Sequence, residues 1–305
     1  MALDLTRLHR RPELLALGYT DEQLHRYRRD GELSTVRRGA YVSEPDPRLA
    51  DPATRHALLV AAAWPTFADG TVLSHCSAAV LLGLPVWSVP LGRVHVTRAR
   101  PTGGRIGRVA HLHTAPLEPH DVVEFDGRAV TSPARTVLDL ARTVSFEAGV
   151  VVADAALRAG LMHGEQLVDS LRQASRWRGI PTARHVVGFA DGRSESVGES
   201  RSRVALYRAG LPAPELQWEV RRDGALLGRV DFGWLESRVI GEFDGRIKYG
   251  RLLEPGQDAG DAVFEEKRRE DRLRAEGLWV VRWVWDDLTA FDAVAARLRR
   301  ALRRS

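Results

Sequence analysis

Residues 229–249 read RVDFGWLESRVIGEFDGRIKY, and this stretch decides how the C-terminal third of the chain is read. Val230, Phe232 and Trp234, then Val239, Ile240 and Phe243, form two short runs rich in β-branched and aromatic residues. With Leu235-Glu236-Ser237 between them, the pattern predicts a β-hairpin. If Glu236-Ser237 is the two-residue loop, antiparallel pairing sets Asp231 directly across from Glu242. The period of two along a strand then puts Asp244 on the same face. Like charges opposite one another destabilise a sheet unless something compensates, and a divalent cation that prefers oxygen ligands is one compensation. Arginine is the other: Arg229 beside Asp231 and Arg246 beside Glu242 would neutralise the pair without a metal, with EEKRREDR (265–272) as a solvated helix face.

Around the hairpin the pattern continues as a helix, SVGESRSRVALYRAGL (196–211), and a strand, PELQWEVRRDGALLG (214–228). After it come a charged helix, DAVFEEKRREDRLRAEG (261–277), a strand, LWVVRWVW (278–285), and a closing helix, DDLTAFDAVAARLRRAL (286–302). Helix, three antiparallel strands, helix, strand, helix makes an α/β core over 194–305. Of 45 basic residues only Lys248 and Lys267 are lysines, and both lie just downstream of the acidic hairpin. A guanidinium essentially never gives up its proton, whereas a lysine can exchange one with a nucleophilic water.

The hairpin resembles the core of the PD-(D/E)XK nuclease superfamily, and within it the branch related to very-short-patch repair endonucleases, where an E-x-D-G run is followed three residues later by His. Here the run is Glu242-Phe243-Asp244-Gly245, with Lys248 in the place of that His and Asp244 where the superfamily's usual lysine stands. The resemblance implies a restriction-endonuclease-like core and metal-dependent cleavage of DNA phosphodiesters. Asp231, Glu242 and the backbone carbonyl of Phe243 would hold Mg²⁺ or Mn²⁺, with Glu199 and Asp244 completing the oxygen shell. Lys248 would orient or deprotonate the attacking water, Lys267 would be its substitute, and Arg269 and Arg272 would hold the phosphates.

The front of the chain reads differently. Leu8, Leu14, Leu15 and Leu17 mark a helix ending at Gly18, and Thr20 with Gln23 is a capping box that opens a second helix ending at Gly31. Two short strands flank Arg37-Arg38-Gly39. Residues 1–45 therefore read as a winged helix-turn-helix, and they resemble the N-terminal domain of AbiEi-type antitoxins. DNA contact is then expected from Gln23, His25, Arg26, Arg28 and Arg29 on the second helix and from Arg37 and Arg38 on the wing.

Residues 46–193 read as a mixed α/β middle domain with a helical connector over 146–189. Ser74 and Ser132 are expected to cap helices, and Pro133 to occupy a first helical position. The segments S-H-x-S-A (74–78), V-H-V-T (94–97) and T-S-P-x-R-T-x-x-D (131–139) resemble the middle of AbiEi-type antitoxins. His95, His111 and His113 lie on strand-like segments and the last two share a face, which offers a metal pair; no third ligand is visible in the sequence. Gly103, Gly104 and Gly107 read as turn glycines. DGRSESVGES (191–200) reads as a flexible joint.

These readings describe an α+β multi-domain chain, in keeping with the roughly two or three domains that 305 residues suggest. No apolar run approaches the ~20 residues that span a bilayer, the N-terminus lacks an apolar signal segment, and the single Cys76 excludes an internal disulfide. The expected location is the cytoplasm. A net charge of +5 permits a polyanionic partner without requiring one. Two functional classes stay open: a winged-helix-targeted, metal-dependent DNA endonuclease, or a non-catalytic transcriptional repressor or antitoxin. DNA is the partner common to both, a toxin and a second copy of the chain are the protein partners to expect, and no membrane is involved.

Overall fold

Thr20 starts the second helix as the spacing predicts: its hydroxyl accepts from the Gln23 N–H at 3.2 Å while the Gln23 side chain accepts from the Thr20 N–H at 2.8 Å. The computed structural model in which this is seen describes residues 8–43, 46–245, 268, 272–273 and 275–304. It is a mixed α/β chain with three sheets and two compact units. Unit 1 comprises Met1–Val152 and Met162–Val187; unit 2 comprises Ala153–Leu161 and Gly188–Ser305. No helix among the described residues is long and apolar enough to cross a membrane.

Unit 1 opens with β1 (His9–Arg10), α1 (Arg11–Ala16), α2 (Asp21–Arg29), β2 (Leu33–Arg37) and β3 (Ala40–Ser43). The three strands make a small antiparallel sheet in the order β1-β3-β2. Leu14, Leu24, Leu33 and Tyr41 are its buried core, one each from α1, α2, β2 and β3, and this is what fixes the two short helices to the hairpin. α3 (Pro52–Ala63) follows, capped by Asp51, which accepts from Thr54 N–H at 2.8 Å.

A six-stranded sheet then forms from β4 (Thr71–Leu73), β5 (Val94–Arg98), β6 (Arg105–Ile106), β7 (Ala110–Thr114), β8 (Val122–Phe125) and β9 (Arg128–Thr131), in the order β6-β7-β5-β4-β9-β8. Residues 124–132, EFDGRAVTS, belong to two strands and not one, because Asp126 and Gly127 turn the chain with positive φ. Between β4 and β5 lies α4 (His75–Leu81), and after β9 lies α5 (Pro133–Ala141). Ser74 occupies the N-cap position of α4 but makes no side-chain capping bond, contrary to expectation; Ser132 likewise caps α5 by position only. Helices α6 (Phe146–Arg158), α7 (Gly164–Gln173) and α8 (Ile180–Phe189) match the helical connector.

The T-S-P-x-R-T-x-x-D segment owes its composition to a buried polar network. Arg135, 1 % exposed, donates from Nε to Asp139 Oδ2 at 3.0 Å and from Nη1 to Asp121 Oδ2 at 3.0 Å and the Pro116 carbonyl at 2.9 Å. Its guanidinium lies 4.5 Å from the Trp177 ring centroid. The other Asp139 oxygen accepts from Arg142 Nε at 3.0 Å, and the Thr131 and Thr136 hydroxyls meet at 2.7 Å. A charge this deep needs charged and hydrogen-bonding partners, and here arginine and carboxylates supply them to each other through Nε and Nη1, while Nη2 of Arg135 is buried without a partner among the described residues.

Unit 2 contains α9 (Val197–Arg208), β10 (Glu215–Arg222), β11 (Ala225–Trp234), β12 (Val239–Asp244), β13 (Trp279–Val284) and a C-terminal helix, Asp292–Leu302. Its sheet runs β10-β11-β12-β13, antiparallel except for the parallel last pair. PELQWEVRRDGALLG, expected as one strand, is a hairpin turning at Asp223 (φ 50°) and Gly224 (φ 82°), left-handed positions that Asp-Gly accepts at little cost. Leu206, Phe232, Trp234, Val239, Trp283 and Leu298 join α9, the sheet and the C-terminal helix in one core.

The stretch expected as a flexible joint is instead held within unit 2. The Asp191 N–H donates to Asp154 Oδ1 at 2.8 Å, and Arg203 Nη1 donates to Asp154 Oδ2 at 2.6 Å. Asp154 is fully buried, and that burial raises its carboxyl above the usual range although Arg203 opposes the shift. Arg193 closes the loop onto Asp191 at 2.9 Å and Glu215 at 3.0 Å. Polar composition suggested flexibility; a buried carboxylate on a distant helix removes it.

Candidate functional site

In unit 1 the residues expected to touch DNA divide into two groups. His25, Arg26, Arg28 and Arg29 are exposed on α2, whereas Leu24 is buried beneath them. Gln23 is half-buried and its side chain is spent on the cap. Arg38 is exposed at the tip of the β2–β3 hairpin; Arg37 is half-buried and donates from Nη1 to the Ala62 carbonyl at 3.2 Å, while its Nε is buried without a partner among the described residues. Arg37 and Arg38 line a cleft of about 680 Å³ together with Arg55, His56 and Arg108, and no acidic residue lines it among the described residues. Arg55 and Arg108 carried no sequence signal; one sits on α3 and the other before β7, and only the fold brings them together.

In unit 2 the hairpin closes with the Arg238 N–H on the Leu235 carbonyl at 3.0 Å, so Glu236 and Ser237 are its central residues. Phe232 pairs with Gly241, Gly233 with Ile240 and Trp234 with Val239. One step further along this register stand Asp231 and Glu242. There the side chain of Asp231 takes over from the backbone, its Oδ2 accepting from the Phe243 N–H at 2.8 Å.

Glu242 is buried, and its positive neighbour comes from 40 residues downstream. β12 and β13 pair Glu242 with Arg282, whose Nε and Nη2 both reach Oε2 at 2.7 Å. Glu199, in the first turn of α9, accepts from the Glu195 N–H at 2.8 Å, the Ser196 hydroxyl at 2.7 Å and Gln217 Nε2 at 2.9 Å. It therefore serves the helix N-terminus. Asp244 is half-buried and ends β12; Arg229 turns away to Glu195 at 2.9 Å. Arg272 is exposed, while Lys248, Lys267 and Arg269 lie outside the described residues.

Oxygen-only donors suit Mg²⁺ or Mn²⁺. In the arrangement seen, however, Asp231 Oδ2 is held by a backbone N–H, Glu242 Oε2 by a guanidinium, and both oxygens of Glu199 by three donors. Among the described residues the acidic side chains do not bring three ligand oxygens together; a group of that kind is formed by histidines instead.

The metal pair expected at His111 and His113 is set by the parallel β5–β7 register, which puts His95 beside His111 and Thr97 beside His113. His113 Nε2 and His95 Nδ1 are 3.1 Å apart, and the His111 and His113 rings stack at 3.9 Å. Burial, aided by the neighbouring imidazoles, lowers His95 to about 4 and His113 to about 2, so these rings are neutral.

Residues 71–189 match the family model described as the AbiEi antitoxin C-terminal domain. Two proteins of Mycobacterium tuberculosis, the uncharacterized proteins MT2308 and Rv2248, are each 32% identical to this chain over 210 residues, covering 68% of it and 72% of their own length. The crystal structure of the RV2827C protein from the same organism is similar at 17% identity and a TM-score of 0.40, over 72% of this chain and 85% of that one. The chain belongs to the family of the two mycobacterial proteins, with residues 71–189 matching the AbiEi antitoxin C-terminal domain.

Proposed function

We propose that this protein is a DNA-binding transcriptional repressor of the antitoxin kind, acting in the cytoplasm with a toxin as its protein partner. On this reading residues 1–45 are a winged helix-turn-helix and residues 46–193 its antitoxin-like continuation. A homodimer would let it read a two-fold symmetric operator. The observation that carries the reading is the cleft that holds Arg37, Arg38, Arg55 and Arg108 with no acid among its described lining residues, in the same unit as the exposed arginines of α2. Guanidinium groups with no carboxylate among the described lining residues are a phosphate surface.

A gel-shift assay on the DNA upstream of the protein's own coding sequence tests this. A retarded, sequence-specific complex is expected, and joint replacement of Arg38, Arg55 and Arg108 by alanine is expected to weaken it at least about 100-fold at low salt, because each phosphate contact supports affinity on every sequence. Equal retardation of unrelated DNA, or no effect of the triple replacement, would contradict the assignment.

A second reading is favoured by one observation, the register that carries Asp231 up to Glu242. On it, residues 194–305 are a PD-(D/E)XK-type nuclease domain and Asp231, Glu242 and the Phe243 carbonyl hold Mg²⁺, which would supply charge neutralisation at the phosphate. Arg282 stands against it, since it already neutralises Glu242. Plasmid DNA with Mg²⁺ or Mn²⁺ discriminates the two: the repressor reading expects no nicking above background, and the nuclease reading expects nicking that Asp231→Ala and Glu242→Ala abolish.

A further inference from the structure

The two motifs that gave no chemistry in the sequence, S-H-x-S-A and V-H-V-T, converge on one hydrogen-bonded array in unit 1. His75 is the first residue of α4, with φ 50°, a left-handed conformation uncommon outside glycine. The residue is 1 % exposed and its Nε2 is buried with no partner among the described residues. Ser74 Oγ lies 3.0 Å from its Nδ1 and in turn accepts from the Thr97 hydroxyl at 2.8 Å. Ser77 Oγ accepts from the His95 backbone N–H at 2.8 Å and meets His56 Nε2 at 2.8 Å. Each serine of the first motif thus holds a histidine: Ser74 the ring of His75, Ser77 the backbone of His95. Thr97 of the second motif holds Ser74.

We propose that His75, His95 and His113 form a binding site for a divalent transition-metal ion of the zinc class. One ring nitrogen from each of the three lies within 4.8 Å of the others. The 3.1 Å between His113 Nε2 and His95 Nδ1 is close to the separation of about 3.3 Å that two nitrogens take on one tetrahedral ion with bonds of 2.0–2.1 Å. Imidazole-only ligation suits zinc, nickel, cobalt and copper and does not suit magnesium. In the tautomer that carries its proton on Nδ1, His75 donates to Ser74 and leaves Nε2 as the ligand atom, the arrangement by which outer hydrogen bonds orient a ligating imidazole. The rings of His75 and His113 stack at 3.7 Å, so binding turns one of them about its χ2 to aim both lone pairs at the ion. His111, half-exposed and stacked on His113, opens the cluster to solvent and is the imidazole at hand beside the fourth position. Three histidines with a position left over is the ligand count of zinc sites that bind a further molecule.

This proposal is independent of whether DNA is bound. The test uses the full chain, stripped with a chelator and titrated with Co²⁺ as the visible probe, then Zn²⁺ as competitor. One Co²⁺ per chain with the intense d–d absorption of a four-coordinate site is expected, displaced by one Zn²⁺. Ser74→Ala, which leaves all three ligands in place, is expected to weaken binding about 10-fold to 100-fold. His95→Asn and His113→Asn are expected to weaken it further, and His120→Asn, outside the cluster, to leave it unchanged. Circular dichroism of the metal-free variants confirms that each has folded; if a histidine variant does not fold, Ser74→Ala and the wild-type spectrum decide. Absence of the four-coordinate spectrum, or an affinity that Ser74→Ala and His113→Asn both leave unchanged, overturns the proposal.

Discussion

Replacing Arg135 with alanine is expected to destabilise unit 1 by about 3–5 kcal/mol, the usual cost of removing one partner from a buried charge network. The guanidinium answers Asp139 and Asp121 at 3.0 Å each and also donates to a backbone carbonyl, with its own side chain only 2 % exposed. Once it is gone, Asp121 loses its charged partner and Asp139 keeps only Arg142. Lost stacking on Trp177 adds to this and supplies the reporter, because the indole fluorescence should follow unfolding. Urea unfolding of the variant beside wild type measures the difference. A shift below about 1 kcal/mol would mean that water satisfies these carboxylates and that the network is looser than the distances indicate.

Gly198→Ala is the second large effect, and its sign is a contest between two terms. In an exposed helix the change would gain about 1 kcal/mol of helix propensity. Here an added Cβ would lie 1.8 Å from Cε1 of Phe243, so the ring must move by more than an ångström. Phe243 has little room to do so, being packed edge-on against Trp285 at 5.1 Å and anchored through its N–H to Asp231. Overpacking of this kind costs about 1–3 kcal/mol or more, so the clash wins. Unfolding of the variant followed by far-ultraviolet circular dichroism should show a net loss of stability in unit 2. A gain would indicate that α9 slides along β12, with the Glu199 contacts to Ser196 and Gln217 changed accordingly.

Local signals in the sequence were read correctly where a few neighbouring residues decide the outcome. The Thr20–Gln23 capping box, the Glu236-Ser237 turn and the register that follows from it are of this kind. The two Asp-Gly turns at Asp126 and Asp223 are hard to see in the sequence, because strand-forming residues on both sides make each hairpin look like one strand. What could not be read were partners brought in from far along the chain. Arg282 is 40 residues from Glu242, and Asp154 is 37 from Asp191. His75 reaches His113 only because α4 starts against the face that β5 and β7 share. The S-H-x-S-A pattern holds that signal, yet a serine before a helix is so often a cap that the sequence does not mark its contact with a histidine ring.

The arginine surface of unit 1 is where DNA is proposed to bind, and the salt dependence of DNA binding tests this most directly. Affinity for the upstream DNA should be measured by fluorescence anisotropy from low to physiological salt, for wild type and for Arg38→Ala, Arg55→Ala and Arg108→Ala singly. The predicted result is a steep linear fall of log K with log salt for wild type, with each substitution lowering the slope by about 1, one phosphate contact removed per arginine. A shallow wild-type slope, or slopes that none of the three substitutions changes, would contradict the claim that this cleft meets the phosphate backbone.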